Sequence, residues 1–388
     1  MGAGLTNAPV ALDLPHGHWS QWRAHASGSD FTLGVEEEVM LVDPEDWALA
    51  HEIDRVLMAL PPDLAAHVGA ETHMSVLELA TGVHPDVAGG ADELRRLRAE
   101  LHGVLAPLAL RPAGAGTHPF AVWHQIVVHS GDRQQAVYAS MRELARREPT
   151  FALHVHVGVQ DPERAICVAN RMRAHLPLLL ALSANSPFWQ GRDAGFASTR
   201  TPLFQAFPRV GIPRAFESYL DYVSTVDLLL RCEALPEPTY LWWDVRPQPS
   251  LGTVEVRIMD AQTTVAATAA LAALVQSIAR LEAQDGYASQ ILLASPEVLA
   301  ENRFLAARDG AGAALVDPVR ERCVPVALLL EELLEAARPH AVALGCEAEL
   351  GGIHELLERP AAAQQRKLAR GPEPLPELVE QMASAFLG

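Results

Sequence analysis

Five stretches of the chain combine β-branched content with alternating apolar positions, and they predict strands over 31–42, 74–81, 152–159, 240–246 and 252–260. Between them the apolar spacing switches to three and four residues, which predicts helices over ADELRRLRAELHGVL (91–105), RQQAVYASMRELARRE (133–148), PERAICVANRMRAHLPLLLAL (162–182) and AFESYLDYVSTVDLLLR (215–231). From 263 onward nearly everything is helical in pattern. Residues 1–28 are rich in Pro, Gly, Ser and His without periodicity and predict a loosely ordered N-terminal arm. No repeat or low-complexity linker divides the rest, so 29–388 is expected to be a single α+β domain with a helical C-terminal third over 263–388.

Alternate residues of a strand face the same side, and on four of these strands that parity collects polar groups. In LGVEEEVML, Glu36 and Glu38 share a face, with Val35, Glu37 and Val39 opposite. His154 and His156 pair in the same way in FALHVHVGV, as do Glu255 and Arg257 in GTVEVRIMD. Trp242, Asp244 and Arg246 share a face in YLWWDVRP. Any one such pair is ordinarily the solvated side of an antiparallel strand. Four together, built of Glu, His and Arg with little Ser, Thr or Lys, point to chemistry instead.

Glu78, in a strand-like segment that runs into a turn, adds a further carboxylate. Carboxylates crowded on one face cannot all stay ionised without cations. Oxygen-rich sites with one or two imidazoles suit Mg²⁺ or Mn²⁺ better than structural zinc. The arginines would then meet an anion that arrives with the metal, and metal-bound phosphate satisfies both.

Composition narrows the classes. The formal charge of −18 disfavours nucleic acid and anionic membrane surfaces as partners. A single lysine, Lys367, stands among 30 basic residues, and its QQRKLAR setting is no P-loop. Lysine Schiff-base chemistry and lysine-clamped nucleotide sites are disfavoured with it, so any phosphate would fall to arginines, backbone amides and metal ions. Cys167, Cys232, Cys323 and Cys346 are too far apart for a CxxC site, and with no basic, apolar leader at the N-terminus they fit a reducing cytoplasm. The uncharged stretches 174–191 and 261–279 are long enough to span a membrane, but their Pro, Asn, Thr and Gln content predicts buried helices.

TLGVEEEVMLVDP, VLELATGVHP, GAGTHPF, HVHVG, LSANSPFWQG, WWDVRP and GTVEVRIMD occur in this order. Together they resemble the type 2 glutamate–cysteine ligase family of carboxylate–amine ligases, in the glutamine synthetase-like superfamily. The resemblance runs from about Phe31 to Asp260 and continues less distinctly through the helical remainder. It implies a curved antiparallel sheet forming an active-site funnel, covered by helices on its outer face. ATP and two or three divalent ions, Mg²⁺ or Mn²⁺, would sit on the concave side. By the same resemblance Glu36, Glu38, Glu78 and Glu255 are expected to ligate metal, with Glu36 and Glu38 on different ions. One of His154 and His156 would bind metal and the other lie near the transferred phosphate. Arg257 would contact phosphate, and Arg246 and Arg200 would be further clamps for phosphate or carboxylate. Asp244 and His118 are candidates for the substrate pocket, with a turn histidine the alternative for His118.

The implied reaction joins an amino-acid carboxylate, the glutamate side chain by the family label, to an amine such as cysteine through an acyl phosphate. Bringing phosphate to a carboxylate joins two anions, which metals and arginines make tolerable. A guanidino-kinase-like phosphotransferase and a metal-dependent hydrolase would use much the same groups, and so would a silent binding protein of the same fold. Small amino acids and amines are the expected partners, with a homodimer left open. Alanine at Glu36, Glu38 or Glu255 is expected to abolish turnover with little loss of fold. Glu37 faces away from this cluster. It should meet either an arginine of a covering helix, or solvent or a subunit interface.

Overall fold

In the computed structural model the stretch with three glutamates forms a ten-residue strand, β1 (Leu33–Val42), at the centre of a seven-stranded sheet. The structure describes residues 18–24, 30–147, 149–370 and 374–388. Most of the expected arm over 1–28 lies outside them. Its described part docks on the body through hydrogen bonds from Trp19 Nε1 to Asp227 and from Trp22 Nε1 to the Val159 carbonyl.

The remaining strands are β2 (Val68–Ala70), β3 (Val76–Ala80), β4 (Arg111–Ala113), β5 (Ala152–Gly158), β6 (Val245–Gln248) and β7 (Thr253–Asp260). They run antiparallel in the order β6-β7-β5-β1-β3-β2, with β4 beside the C-terminal end of β1. The sheet does not close on itself, and the α+β expectation holds. One face is apolar: Val35, Val39, Val155, Val157, Val254 and Val256 are all buried in a single core with the helices. Each such side chain contributes about 1.5–3 kcal/mol of burial. The helix Val265–Gln284 lies within that core. It is long and apolar enough to cross a membrane, yet 83% of its most apolar window is buried inside the protein.

Glu37 enters the same core. Arg98, from the helix Val87–Leu105, grips both its oxygens at 2.8 and 2.9 Å, and Thr268 donates a further hydrogen bond. Of the two possibilities for Glu37, the covering-helix arginine is therefore the one realised. Arg98 also donates to the carbonyls of Gln262, Thr263 and Phe386, so neither member of the pair is left wanting.

Local departures from the sequence pattern have physical causes. The helix expected over 162–182 divides into Pro162–Met172 and Leu176–Ser183, bent by 62°. Pro177 has no N–H to bond the Arg173 carbonyl. The strand expected over 240–246 divides as well: Trp242–Trp243 pairs with Val210–Gly211, and β6 begins only at Val245. In the helical third a hairpin of Ala314–Asp317 and Arg322–Pro325 interrupts the helices.

Candidate active site

The strand register fixes which polar groups meet. Across β6, β7, β5 and β1, Arg246 stands opposite Glu255, Glu255 opposite His156 and His156 opposite Gly34. One step along, His154 pairs with Glu36, and beyond it Glu38 pairs with Glu78 on β3. β7 carries a bulge between Val256 and Met259 at this level. Arg257, within the bulge, lies on the polar face with its Nη1 3.4 Å from His154 Nδ1. The four pairs seen on separate strands thus converge, except at Asp244.

Glu36 is the hub. Its two oxygens lie 3.3 Å from His154 Nδ1 and 3.3 Å from His156 Nε2. Two groups of potential ligand atoms form around it, Glu36 with His156 and Glu255, and Glu36 with Glu78 and His154, each within 4.8 Å. Thr253 Oγ1 engages His156 Nδ1 at 2.9 Å, which leaves Nε2 turned toward the carboxylates. Both histidine Nε2 atoms are buried and have no hydrogen-bond partner among the described residues. A buried, orphaned imidazole nitrogen beside carboxylates is what a divalent cation would satisfy, so the donor set fits the ions expected here.

The carboxylates split into two electrostatic groups. Burial would raise Glu36 and Glu255, but His156 and His154 outweigh it for Glu36, and Arg246, Arg257 and His156 outweigh it for Glu255; both lie below the usual range. Toward β3 the balance reverses. Burial and the neighbouring Glu71 push Glu38 up to about 7 despite Arg200 and Arg257. Burial, with Glu36, Glu71 and Glu38 all close by, holds Glu78 well above the carboxylate range. Burial and Arg257 depress His154 to about 4, whereas Glu36 and Glu255 overcome burial and raise His156.

These groups line a pocket of about 260 Å³, together with Tyr240, Trp242, Phe204, Phe207, Glu71, Arg133 and Gln134. Glu71 escapes the strand pattern because it sits in the loop between β2 and β3. Its signal in the sequence was proximity: ETHMSVLE places it in the same short segment as Glu78.

The expected clamps differ in how free they are. Arg257 is bound to Glu255 but faces the pocket. Arg200 lines the pocket with its Nε unpartnered, and its other nitrogens hold the carbonyls of Arg257 and Ile258. The LSANSPFWQG segment supports it from below: Asn185 N and Ser186 Oγ donate to Asp260, whose carboxylate lies 3.8 Å from Arg200. Arg246 also lines the pocket, but four of its five N–H donors are taken by Glu255 and by the Thr239 and Leu241 carbonyls, so it anchors Glu255.

Two expected residues lie elsewhere. Asp244 does not share the pocket with Arg246, because the chain bends at Asp244 and alternation fails there. Its carboxylate instead forms a buried pair with Arg303, 2.6 Å from Nε. His118 is a turn histidine: Nε2 meets the Trp47 carbonyl, and Nδ1 accepts from the Phe120 and Ala121 amides. The glycines before it have a packing role, since a Cβ at Gly116 would stand 2.5 Å from Asp260 Cγ.

The fold is one that solved ligases share. The bifunctional glutathione synthetase of Pasteurella multocida shares the fold with a TM-score of 0.70 at 15% identity, over 92% of this chain and 52% of that one. The glutamate–cysteine ligase of Francisella tularensis, solved with AMP, gives 0.67 at 13% identity over 93% and 90%. The chain itself belongs to glutamate–cysteine ligase family 2, whose sequence profile matches residues 32–384. A Rubrobacter xylanophilus protein named "Putative glutamate--cysteine ligase 2-1" is 41% identical over 87% of this chain and 90% of its own. A Sorangium cellulosum protein, with the same name but for the suffix, is 38% identical over 87% and 90%. The protein is accordingly an enzyme of the carbon–nitrogen ligase class, as the ordered motifs implied.

Proposed function

We propose that the enzyme joins the side-chain carboxylate of glutamate to an amine, with cysteine the leading candidate, using ATP and two or three Mg²⁺ or Mn²⁺ ions. The observation that carries this is the shared Glu36 with the orphaned His156 Nε2 beside it, the orphaned His154 Nε2 on the side of Glu38, and arginines on the same face. The ions would be held by Glu36 with His156 and Glu255, and by Glu36 with Glu78 and His154, with Glu38 and Glu71 alongside. When bound they would screen the charge of the ATP phosphates as the γ-phosphoryl group moves.

The substrate carboxylate oxygen attacks the γ-phosphorus, ADP leaves, and an acyl phosphate results. The amine then attacks the acyl carbon, inorganic phosphate leaves, and the amine proton passes to a base or to water. Arg257 and Arg200, which line the pocket, would hold the transferred phosphoryl oxygens. Arg246 fixes Glu255. Tyr240, Trp242, Phe204 and Phe207, which line the pocket, would limit access of water to the acyl phosphate.

The test is incubation with ATP, Mg²⁺, glutamate and a panel of amines including cysteine, with ADP and amide product followed by mass. ADP that appears only when both acceptors are present, together with an amide, is the expected result. ADP with glutamate alone would mark a kinase, and product without ATP a hydrolase. Glu36→Gln should lower turnover by about a hundredfold or more.

A further inference from the structure

Behind the helix Arg200–Phe204 lies a second cleft of about 530 Å³, between the segment 210–214 and the helix Pro296–Asp309. None of its lining residues belongs to the candidate active site. Arg200 and Phe204 of the short helix face the active site, whereas Thr201, Pro202 and Gln205 face the cleft.

Three arginines line it, Arg173, Arg214 and Arg303, and no aspartate or glutamate among the described residues does. That is an unusual wall for a chain of formal charge −18. Arg303 is held by Asp244, and Arg214 by both oxygens of Asp221 at 2.7 and 2.8 Å. Arg173 differs. Only 4% of it is exposed, and its buried Nε has no hydrogen-bond partner. Among the described residues no ion pair joins it to a carboxylate either. Burial alone pushes its guanidinium below the usual range.

Arg173 is the C-cap residue of the helix Pro162–Met172, where an arginine side chain can bond the last carbonyls, and its guanidinium makes no such bond. A buried cation with no counter-charge is costly unless a ligand completes it. We propose that the cleft binds a small anion through a carboxylate or phosphate group, with the Arg173 guanidinium as its principal anchor. Ile212, Leu299 and Phe304 give it apolar walls suited to the carbon skeleton of a small organic acid.

Calorimetric titration of the metal-free protein with inorganic phosphate, and separately with succinate, tests this in wild type, Arg173→Met and Arg173→Lys. Any binding at the candidate active site is common to all three proteins, so the difference isolates the cleft. Arg173→Met should weaken binding of at least one anion by roughly tenfold to a hundredfold, the loss of a charge-assisted hydrogen bond. Arg173→Lys, which keeps the charge but not the fork, should fall between. Response to phosphate alone or to succinate alone identifies the group recognised. In anion-poor buffer the melting temperature of Arg173→Met should equal or exceed that of wild type, because an unpaired buried charge has been removed. Identical titrations in wild type and Arg173→Met, or no binding of either anion to wild type, would overturn the proposal.

Discussion

Glu37 and its neighbours Glu36 and Glu38 are the same residue type on one strand, yet they live under opposite rules. On the helix-covered face Glu37 is sealed at 1% exposure, its carboxylate matched by Arg98 and Thr268. On the other face Glu36 and Glu38 look out on further carboxylates, on imidazoles with unused nitrogens, and on a pocket. A charge whose every bond is supplied from within the chain belongs to the architecture. Charges that crowd together and leave partners unsatisfied are waiting for something from outside.

The sharpest break in this contrast is Glu255, which has a part in both regimes. Its carboxylate holds Arg246 and Arg257 while lying in one of the two ligand groups. Glu255→Ala should abolish turnover and also cost about 3–5 kcal/mol in chemical denaturation, by leaving two guanidinium groups uncompensated. This revises the expectation of little loss of fold, which is kept for Glu36 and Glu38. Next, Arg98→Met should destabilise by a similar 3–5 kcal/mol or less, while turnover per folded molecule stays near wild type. A catalytic defect without a stability defect would erase the distinction between the faces.

The pH dependence of the metal-free protein is a finer probe. The folded Glu38 carboxyl is raised to about 7 from 4.5, so its protonation contributes stability in full below about pH 4.5 and loses it as the pH rises through about 7. In chelator, the stability of wild type relative to Glu38→Gln should fall across that window, whatever slope His154 and the other buried histidines impose on both proteins. An unchanged slope in the variant would mean that the carboxylate is not its source. The smallest effect is expected at His118, where His118→Asn should cost about 1 kcal/mol through lost turn hydrogen bonds and leave turnover unchanged.

Strand parity made most of the candidate site legible, because β1, β5 and β7 keep their alternation where Glu36, Glu38, His154, His156 and Glu255 face the pocket. Parity failed at Asp244 for a local reason, a bend between two short strands, and it could say nothing of Glu71, which sits in a loop. Nor does a sequence show which arginine is already spoken for. Arg246 and Arg257 look alike in their motifs, and only the neighbouring carbonyls, brought in by the turn at 239–241, separate them. The short strands β2 and β4, three residues each, are below the length at which a period can be read. The broken helix at 173–175 was foreshadowed by Pro177 alone.

The bonds around Arg98 also bear on the order of events in folding. They join residues separated along the chain by 61, 164 and 288 positions, and Glu37 meets Thr268 across 231. Closing such loops costs entropy before any contact rewards it, so the cluster is expected to close late in assembly. Contacts formed after the rate-limiting barrier act on the escape rate from the native state rather than on the rate of reaching it. The Arg98 cluster is then expected to act as a latch: loosening it with Arg98→Met should shorten the lifetime of the folded enzyme while leaving its refolding rate nearly unchanged.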